Sequence, residues 1–388
     1  MSSSSWLAHP VAIPFNKPYL AGRELLYMEQ AVRAGHISGD GPFTRRCSQW
    51  LTQRYGFGRA LLTTSGTDAL ELAALLCRIE PGDEVIVPSY TFVSTANAFV
   101  LRGARIVFAD SGPDSPHLDA EQLAALITPR TRAIVPVHYA GMGCQLDLIA
   151  DLAQRHGLWV VEDAAQAING YFQDRPLGTW GQLAAFSFHE TKNISAGEGG
   201  MLAVNEAALQ ARAEIIREKG TNRAAYFRGE VDKYTWVDVG SSFLPSDLTA
   251  AFLWGQLEEL DHIQARRSQL WQLYYQALQP LQTAGVARLP VVPAGASNNA
   301  HLFYLVCRSL AERSRLIEHL RRHGILAVFH YQSLHRSPFF APHHDGRPLP
   351  HADRYSDCLV RLPLFHELSE ADVLRICELV TDCLLGRT

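Results

Sequence analysis

The chain has 388 residues, of which 47% are hydrophobic and 19% charged, and its formal net charge is −4. This composition is typical of a globular protein with more than one domain, and the weak acidic balance argues against nucleic acid or an anionic membrane as the main partner. The seven cysteines are scattered without a CxxC pair, so we expect no metal site, no disulfide framework and a reducing, cytoplasmic location. No apolar run approaches the ~18 residues that a membrane span requires.

The N-terminal half of the chain alternates apolar runs with helical patterns. Residues 1–12 begin with Met1 and four serines and lack the apolar region of a signal peptide. We therefore expect this segment to be a disordered extension. The strand–helix units that follow predict an α/β domain with a seven-stranded, mostly parallel sheet covered by helices. The predicted strands are 60–63, 84–87, 105–109, 133–137, 159–162, 183–188 and 201–204, and the predicted helices are 23–34, 42–55, 67–78, 91–102, 120–127 and 147–156.

The C-terminal part has a different pattern. Helices are predicted over 206–219 and, as one long element, over 247–278, and an irregular proline-containing stretch follows. Strands at 302–306 and 326–330, with helices at 313–323 and 370–385, predict a smaller α+β domain. We therefore expect an extension at 1–12, a large α/β domain at 13–260 and a small α+β domain at 261–388.

Polar residues follow several of the predicted strands, and the carboxyl ends of parallel strands share one edge where ligands bind. The turn at Ser65, Gly66 and Thr67 precedes a helix, so its backbone amides suit a phosphate, although such a turn often needs glycine for geometry alone. Asp163 ends a buried strand. A carboxylate there needs a partner, either the backbone of the following segment or a cationic ring nitrogen.

Lys192 lies between two apolar runs and precedes a glycine-rich turn at 197–200. An arbitrary lysine is most often a solvated surface residue. A lysine at the ends of two buried strands would instead be desolvated, which lowers its pKa and makes the amine nucleophilic. Together with Asp163, the phosphate turn and the aromatic Phe92, it meets the needs of pyridoxal 5′-phosphate: a covalent anchor, a carboxylate for the ring nitrogen, a stacking surface and a phosphate cup.

The motifs around these residues resemble those of the nucleotide-sugar aminotransferases of the DegT/DnrJ/StrS type, which are pyridoxal-phosphate enzymes of fold type I. The resemblance extends from about Ile13 to Leu385. Additional blocks are similar to the members that convert dTDP-4-keto-6-deoxy-D-glucose to dTDP-4-amino-4,6-dideoxy-D-galactose. The family motifs are SGTDAL at 65–70, PSYTFVST at 88–95, EDAAQ at 162–166 and SFHETKN at 187–193, and the additional blocks are GDGPFTRRC at 39–47, REKGTNR at 217–223 and VDKYTW at 231–236.

The resemblance implies a role for each candidate cofactor contact. Lys192 would bind the cofactor covalently and, once freed, act as general base, while Asp163 would pair with the ring nitrogen. Gln166 would contact the ring hydroxyl and Phe92 would stack on the ring. The phosphate would be bound by the amides of Gly66 and Thr67 and the hydroxyl of Ser187.

The resemblance also implies a homodimer with shared active sites. Ser242 stands where many family members have an asparagine that reaches the phosphate of the partner subunit, so that contact is open. His301, Tyr331 and His335 match regions near the nucleotide-sugar site, although the histidines could equally pack in a domain interface. The aromatic stretch at 226–236 is a candidate cross-subunit element.

The implied reaction moves the amino group of L-glutamate to the 4-keto carbon of a dTDP-sugar and releases 2-oxoglutarate. Residue types do not reveal regiochemistry, so amination at C3 or formation of the gluco epimer stays open. A related dehydratase would carry histidine in place of Lys192, and a non-catalytic sugar-sensing homologue would tolerate loss of Lys192 or Asp163. A Rossmann dehydrogenase is disfavoured because no GxGxxG opens the first strand–helix unit.

Overall fold

A computed structural model describes residues 12–387, so the predicted extension at 1–12 lies outside the described residues except for Ala12. The strands of this described part, in chain order, are β1 (Ala60–Thr63), β2 (Glu84–Pro88), β3 (Arg105–Ala109), β4 (Thr131–Ile134), β5 (Trp159–Asp163), β6 (Tyr171–Phe172), β7 (Arg175–Pro176), β8 (Leu183–Ser187), β9 (Gly200–Val204), β10 (Phe303–Val306) and β11 (Leu359–Leu362).

The α-helices differ widely in length, and short 3₁₀ helices occur at Ala120–Leu126, Tyr139–Gly141, Leu334–Arg336 and Ala341–His343. The α-helices are α1 (Glu24–Arg33), α2 (Pro42–Tyr55), α3 (Gly66–Leu76), α4 (Val93–Val100), α5 (Leu146–His156), α6 (Ala207–Arg217), α7 (Arg223–Phe227), α8 (Asp247–Glu258), α9 (Leu260–Thr283), α10 (Leu310–Arg322), α11 (Pro350–Cys358) and α12 (Glu370–Leu385).

The main sheet has seven strands in the order β1-β9-β8-β5-β4-β2-β3. Pairing is parallel from β8 through β5, β4 and β2 to β3, whereas β9 runs antiparallel to both β8 and β1. All seven predicted strands are present, and the predicted seven-stranded, mostly parallel sheet is confirmed.

Helices bury both faces of this sheet, which explains why its strands are apolar runs with little alternation. In β1, Leu61 packs into the hydrophobic core on one face, and Ala60 and Leu62 pack into the core on the other. Side chains alternate along a strand, and β8 shows the same division, with Ala185 in the first core and Phe186 in the second. The carboxyl end of β8 is therefore held between the two cores.

The C-terminal part is built on the antiparallel pair of β10 and β11, with α12 packed against α9. The strand predicted at 326–330 is wrong. Only Val328 forms an isolated bridge, to Arg361 of β11, because the chain leaves the sheet there and its next residues line a cavity. The sequence pattern missed β11 itself, which takes the place beside β10.

Two helix predictions also differ from the structure. The long helix predicted at 247–278 is two helices, α8 and α9, separated at Glu259, whose φ of −104° and ψ of 10° break the helical path. Residues 120–126 form a 3₁₀ rather than an α-helix. The domain boundary predicted at residue 260 falls at the break after α8 and stays a prediction. Within residues 12–387, no helix is long and apolar enough to cross a membrane.

Candidate active site

A cavity of about 980 Å³ lies at the carboxyl ends of β1, β2, β5 and β8. The N-terminal residues Phe15 and Asn16 and the C-terminal residue Arg361 close its other sides. Most of the site residues expected from the sequence line this one cavity, although they come from distant parts of the chain. They are Gly66, Thr67, Phe92, Asp163, Gln166, Ser187, Lys192, His301 and Tyr331.

One end of the cavity is formed where α3 begins against the end of β8. A Cβ atom on Gly66 would lie 2.9 Å from Cβ of Ser187, so only glycine allows this close approach. The N-cap Ser65 accepts a 3.0 Å hydrogen bond from the amide of Asp68 through its hydroxyl. The amides of Gly66 and Thr67, in the first turn, have no intrahelical acceptor. These two amides, the helix dipole and the Ser187 hydroxyl make a cup for a phosphate.

Asp163 presents a nearly buried carboxylate to the same cavity. Oδ2 accepts a 2.6 Å hydrogen bond from Oγ1 of Thr95, and Oδ1 accepts a 3.2 Å bond from the amide of Ala165. Asp163 therefore does bind the backbone of the following segment, as one of the two expectations had it, but only through Oδ1. Because both donors are neutral, the carboxylate keeps its charge for a cationic partner in the cavity.

Lys192 lies in the connection between β8 and β9 and is half-buried. Within residues 12–387, its Nζ makes no hydrogen bond or ion pair. Burial lowers the pKa of Lys192 from 10.5 to about 8; the charge of Asp163 opposes this shift and the charge of Arg361 adds to it. A larger fraction of neutral amine than in a solvated lysine is thus present near neutral pH, as a nucleophile or base requires.

A hydrogen-bonded aromatic wall stands beside Asp163. The amide of Gln166 is fixed at both ends, since Oε1 accepts from the Ala140 amide at 2.7 Å and Nε2 donates to the Tyr331 hydroxyl at 2.9 Å. The ring of Tyr331 lies 6.1 Å from that of Phe92. Phe92 is 53% exposed although it lines a cavity, so its face is available to a planar ligand.

His301 is buried at the cavity wall, and its Nδ1 lies 2.8 Å from Oδ1 of Asn193. Burial and the positive charges of Lys192, Arg267 and Arg361 hold the pKa of His301 well below its usual value. The side chain is therefore neutral at physiological pH. His301 packs against Asn193 between the two predicted domains, and it also faces the cavity. Packing in a domain interface and a place near the substrate site are therefore compatible for this residue.

Two of the expected residues do not line this cavity. His335 is buried behind it, with Nδ1 2.7 Å from the Ser89 hydroxyl and Nε2 3.6 Å from Oδ1 of Asp353, which is the packing expected of an interface histidine. Ser242 is exposed and forms an isolated bridge with Glu218. Its expected contact belongs to a partner subunit and stays a prediction.

Sequence reasoning missed three contributors: Thr95, which holds Asp163, Arg361 and the N-terminal residue Phe15. The signal for Arg361 was a single charge within the apolar run 359–364. Pyridoxal 5′-phosphate fits the residues present, since the glycine-dependent cup, the buried carboxylate, the unpaired amine and the exposed aromatic face open into one cavity.

Comparison with known proteins extends this picture over the whole chain. Residues 18–381 match the DegT/DnrJ/EryC1/StrS aminotransferase family. The aminotransferase TlmJ from Streptoalloteichus hindustanus superposes with a TM-score of 0.88 at 29% identity, covering 97% of this chain and 99% of TlmJ. DesV from S. venezuelae gives 0.86 at 30% identity, with coverage of 97% and 99%. PseC from Helicobacter pylori, an aminotransferase of pseudoaminic acid biosynthesis, shares the fold, with a TM-score of 0.86 at 22% identity and coverage of 96% and 99%. The predicted α/β fold of pyridoxal-phosphate transferases is confirmed.

Proposed function

Because this chain belongs to the DegT/DnrJ/EryC1/StrS aminotransferase family, we propose that it transfers the amino group of L-glutamate to C4 of dTDP-4-keto-6-deoxy-D-glucose. The products would be dTDP-4-amino-4,6-dideoxy-D-galactose and 2-oxoglutarate. The observation that carries the chemistry is the unpaired Lys192 amine, which shares one cavity with the Asp163 carboxylate and the start of α3. The choice of sugar rests on the blocks at 39–47, 217–223 and 231–236.

The enzyme's cofactor is pyridoxal 5′-phosphate, as in the rest of the family. When bound, it supplies an electron sink for the charge that develops on the substrate carbon. The cup of Gly66, Thr67 and Ser187 would hold its phosphate. Asp163 would hold its ring nitrogen in the protonated state, and Lys192 would attach it.

Other residues around the cavity would transfer the proton and orient the reacting groups. Nζ of Lys192 would accept the proton from the α-carbon of the amino donor and would deliver it to C4′ of the cofactor. Thr95 keeps the carboxylate of Asp163 directed into the cavity. The bond between Gln166 and Tyr331 fixes the wall against which the planar group lies. The exposed ring of Phe92, which lines the same cavity, would be the surface on which the planar group stacks.

Exposed aromatic side chains support a homodimer. Residues 226–239 carry Phe227 at 70% exposure and Trp236 at 78%, and Leu25 of α1 is 71% exposed. Such large apolar side chains on a surface are typical of an interaction site. We propose a cytoplasmic dimer in which Ser242, which follows this segment, reaches the cup of the other subunit. Sedimentation equilibrium tests this, with Trp236→Ala expected to weaken association and a monomeric wild type contradicting it.

The alternatives that share this chemistry are amination at C3 and formation of the gluco epimer at C4. They differ in which atom and which face of the sugar meet the cofactor. The position and orientation of the amino group in the product distinguish them.

The absorption spectrum of the purified enzyme tests the assignment. The wild type should show the visible band of lysine-bound cofactor, and glutamate should convert it to the amine form. Lys192→Ala should lack this conversion. Lys17→Ala is the matched control, because Lys17 forms only an exposed 2.7 Å ion pair with Glu367. A colourless wild type, or Lys192→Ala that behaves like the wild type, would contradict the proposal.

A further inference from the structure

We propose that His301 and His330, held in opposite tautomers, together bind one hydroxyl group of the sugar substrate, the hydroxyl on the carbon next to the reacting keto carbon. This inference rests on the proposed aminotransferase function and adds a feature that the substrate must carry.

The partners of Asn193 fix the tautomer of His301. Nδ2 of Asn193 donates to the backbone carbonyl of Asn299 at 2.9 Å and to Oε1 of Gln264 at 3.1 Å. Since a backbone carbonyl only accepts, Nδ2 must face Asn299, and Oδ1 must therefore face His301. Nδ1 of His301 lies 2.8 Å from this oxygen and must carry the proton. Because the ring is neutral, its Nε2 has a free lone pair.

Tyr139 fixes the tautomer of His330. Its buried hydroxyl lies 2.6 Å from Nδ1 of His330. Behind it, the buried hydroxyl of Tyr90 has no other acceptor in the described part of the chain and can only donate towards Tyr139. Each buried hydroxyl proton needs an acceptor, so the Tyr139 proton goes to Nδ1. Burial and the charges of Arg361 and Lys192 hold the pKa of His330 well below its usual value, so the ring is neutral and its one proton is on Nε2.

The two Nε2 atoms are open to the cavity. Both histidines line it, and among the described residues neither Nε2 has a hydrogen-bond partner or is enclosed. Stacking on Tyr331, with ring centres 3.6 Å apart, fixes the plane of His330. His301 is also one of the groups that lower the pKa of His330, so the two rings are neighbours. The cavity wall thus presents one lone pair and one N–H donor close together.

This combination favours a hydroxyl group. A carboxylate or phosphate oxygen only accepts hydrogen bonds, so it would oppose the lone pair of His301. An ammonium group only donates, so it would oppose the N–H of His330. A hydroxyl can donate to the first ring and accept from the second at the same time.

The location of the two rings identifies which hydroxyl they bind. The charge of Lys192 acts on both of them, so they lie beside the amine, where the reacting carbon must also lie. In a 4-keto-6-deoxyhexose, the reacting C4 has two neighbours in the ring. C5 carries the methyl group and no hydroxyl, whereas C3 carries a hydroxyl. The group bound by the two histidines is therefore the C3 hydroxyl.

Nitrogen NMR tests the opposite tautomers without turnover. In the cofactor-free wild type labelled with ¹⁵N-histidine, His301 should have a protonated Nδ1 and His330 a protonated Nε2. His301→Asn and His330→Asn assign the two sets of signals by their loss. Tyr139→Phe should change the His330 signals to those of a mixture of tautomers and leave the His301 signals in place. The same tautomer in both rings would overturn the site.

Two sugars that differ in one hydroxyl test the binding. For the wild type, kcat/KM with dTDP-4-keto-6-deoxy-D-glucose should be about ten- to a hundredfold higher than with its 3-deoxy analogue, because two polar atoms lose their partner. His301→Asn keeps a donor for Asn193 and His330→Asn keeps an acceptor for Tyr139, but each lacks Nε2. Each should lower the preference by at least about threefold. A ratio measured within one variant cancels effects on the amount of folded enzyme. His156→Asn, at an exposed position ending α5, is the control and should keep the wild-type preference.

Calorimetric titration separates this site from the proposed function. The unreactive dTDP-6-deoxy-D-galactose should bind the wild type at least about tenfold more tightly than its 3-deoxy counterpart. The variant with both histidines replaced should bind the two sugars about equally. If this preference is found but no sugar is aminated, the proposed function fails and the site stands. If C4 is aminated without a preference for the hydroxyl, or if neither sugar binds, the site is overturned.

Discussion

The hydroxyl of Thr95 donates a 2.6 Å hydrogen bond to Oδ2 of Asp163, and both side chains are buried. The bond joins α4 to the carboxyl end of β5. The Thr91 hydroxyl lies 2.8 Å from that of Thr95 and extends the polar chain. Since the Ala165 amide holds the other oxygen, the carboxylate has a fixed direction into the cavity.

Replacing Thr95 with valine, which keeps the shape and removes the hydroxyl, should leave Asp163 misdirected. We expect kcat to fall about tenfold and stability to fall by about 1–3 kcal/mol, because a hydrogen bond to a charged group is lost. Steady-state kinetics and thermal unfolding measure both effects. Thr95→Ser keeps the donor and should stay close to the wild type, so equal losses in the two variants would show that the hydroxyl is not responsible.

The close approach of Gly66 to Ser187 makes a second prediction. Gly66→Ala should weaken binding of pyridoxal 5′-phosphate, because the added Cβ would lie 2.9 Å from Cβ of Ser187 and displace the start of α3. Fluorescence titration of the cofactor-free enzyme measures the change. Gly112→Ala is the control, since its nearest neighbour would be the Ser115 carbonyl oxygen at 3.5 Å, an ordinary contact. Unchanged affinity in Gly66→Ala would contradict the proposed cup.

The charges around Lys192 predict opposite pKa shifts in two variants. In the cofactor-free enzyme, modification of Lys192 by an amine reagent should be half-maximal near pH 8, its pKa in the wild type. Asp163→Asn removes a negative charge that favours the ammonium form, so the pKa should fall further. Arg361→Gln removes a positive charge that disfavours it, so the pKa should rise. Peptide mass spectrometry at a series of pH values follows the residue, and shifts of the same sign would refute this electrostatic account.

The same lowered lysine pKa sets a direction for stability. Lys192 has its ordinary, higher pKa in the unfolded chain and about 8 in the fold, so the unfolded state binds more protons between those values. The cofactor-free wild type should therefore gain stability relative to Lys192→Met as the pH rises from 8 towards 10. Denaturant unfolding of both proteins measures the difference, and a wild-type disadvantage that grows with pH would contradict the burial of this amine.

His301 supplies a spectroscopic prediction. Because burial and nearby positive charges hold its pKa well below the usual value, its ring should stay neutral from pH 6 to 8. The imidazole resonance, assigned by its loss in His301→Asn, should not move over that range. A titration midpoint near pH 6.5 would mean that the ring is more solvated than the structure indicates.

The sheet was predictable because its strands are buried apolar runs separated by helices. The cavity residues Asp163 and Lys192 could be found because each follows such a run. Arg361 could not, because its position at the cavity depends on the bridge to Val328 and on the contact with Phe15, which is far away in sequence. The strand at 326–330 was wrongly predicted for a similar reason, because pairing depends on distant parts of the chain. Of these residues only Val328 pairs with β11.

Thr95 shows a further limit. A threonine in a helix has no sequence signal that distinguishes a solvated hydroxyl from one that donates to a carboxylate 68 residues away. Ser242 and His335 show the opposite error of sequence reasoning. Their positions in family motifs suggested contacts in the site, but neither residue lines the cavity of its own chain.

The most direct test of the proposed function is the position of transferred nitrogen. The wild-type enzyme, supplied with pyridoxal 5′-phosphate, ¹⁵N-labelled L-glutamate and dTDP-4-keto-6-deoxy-D-glucose, should give a product whose ¹⁵N is bonded to C4 in the axial, galacto orientation by NMR. Lys192→Ala should give none. Nitrogen at C3, an equatorial amine at C4, or no labelled sugar from the wild type would contradict the proposal.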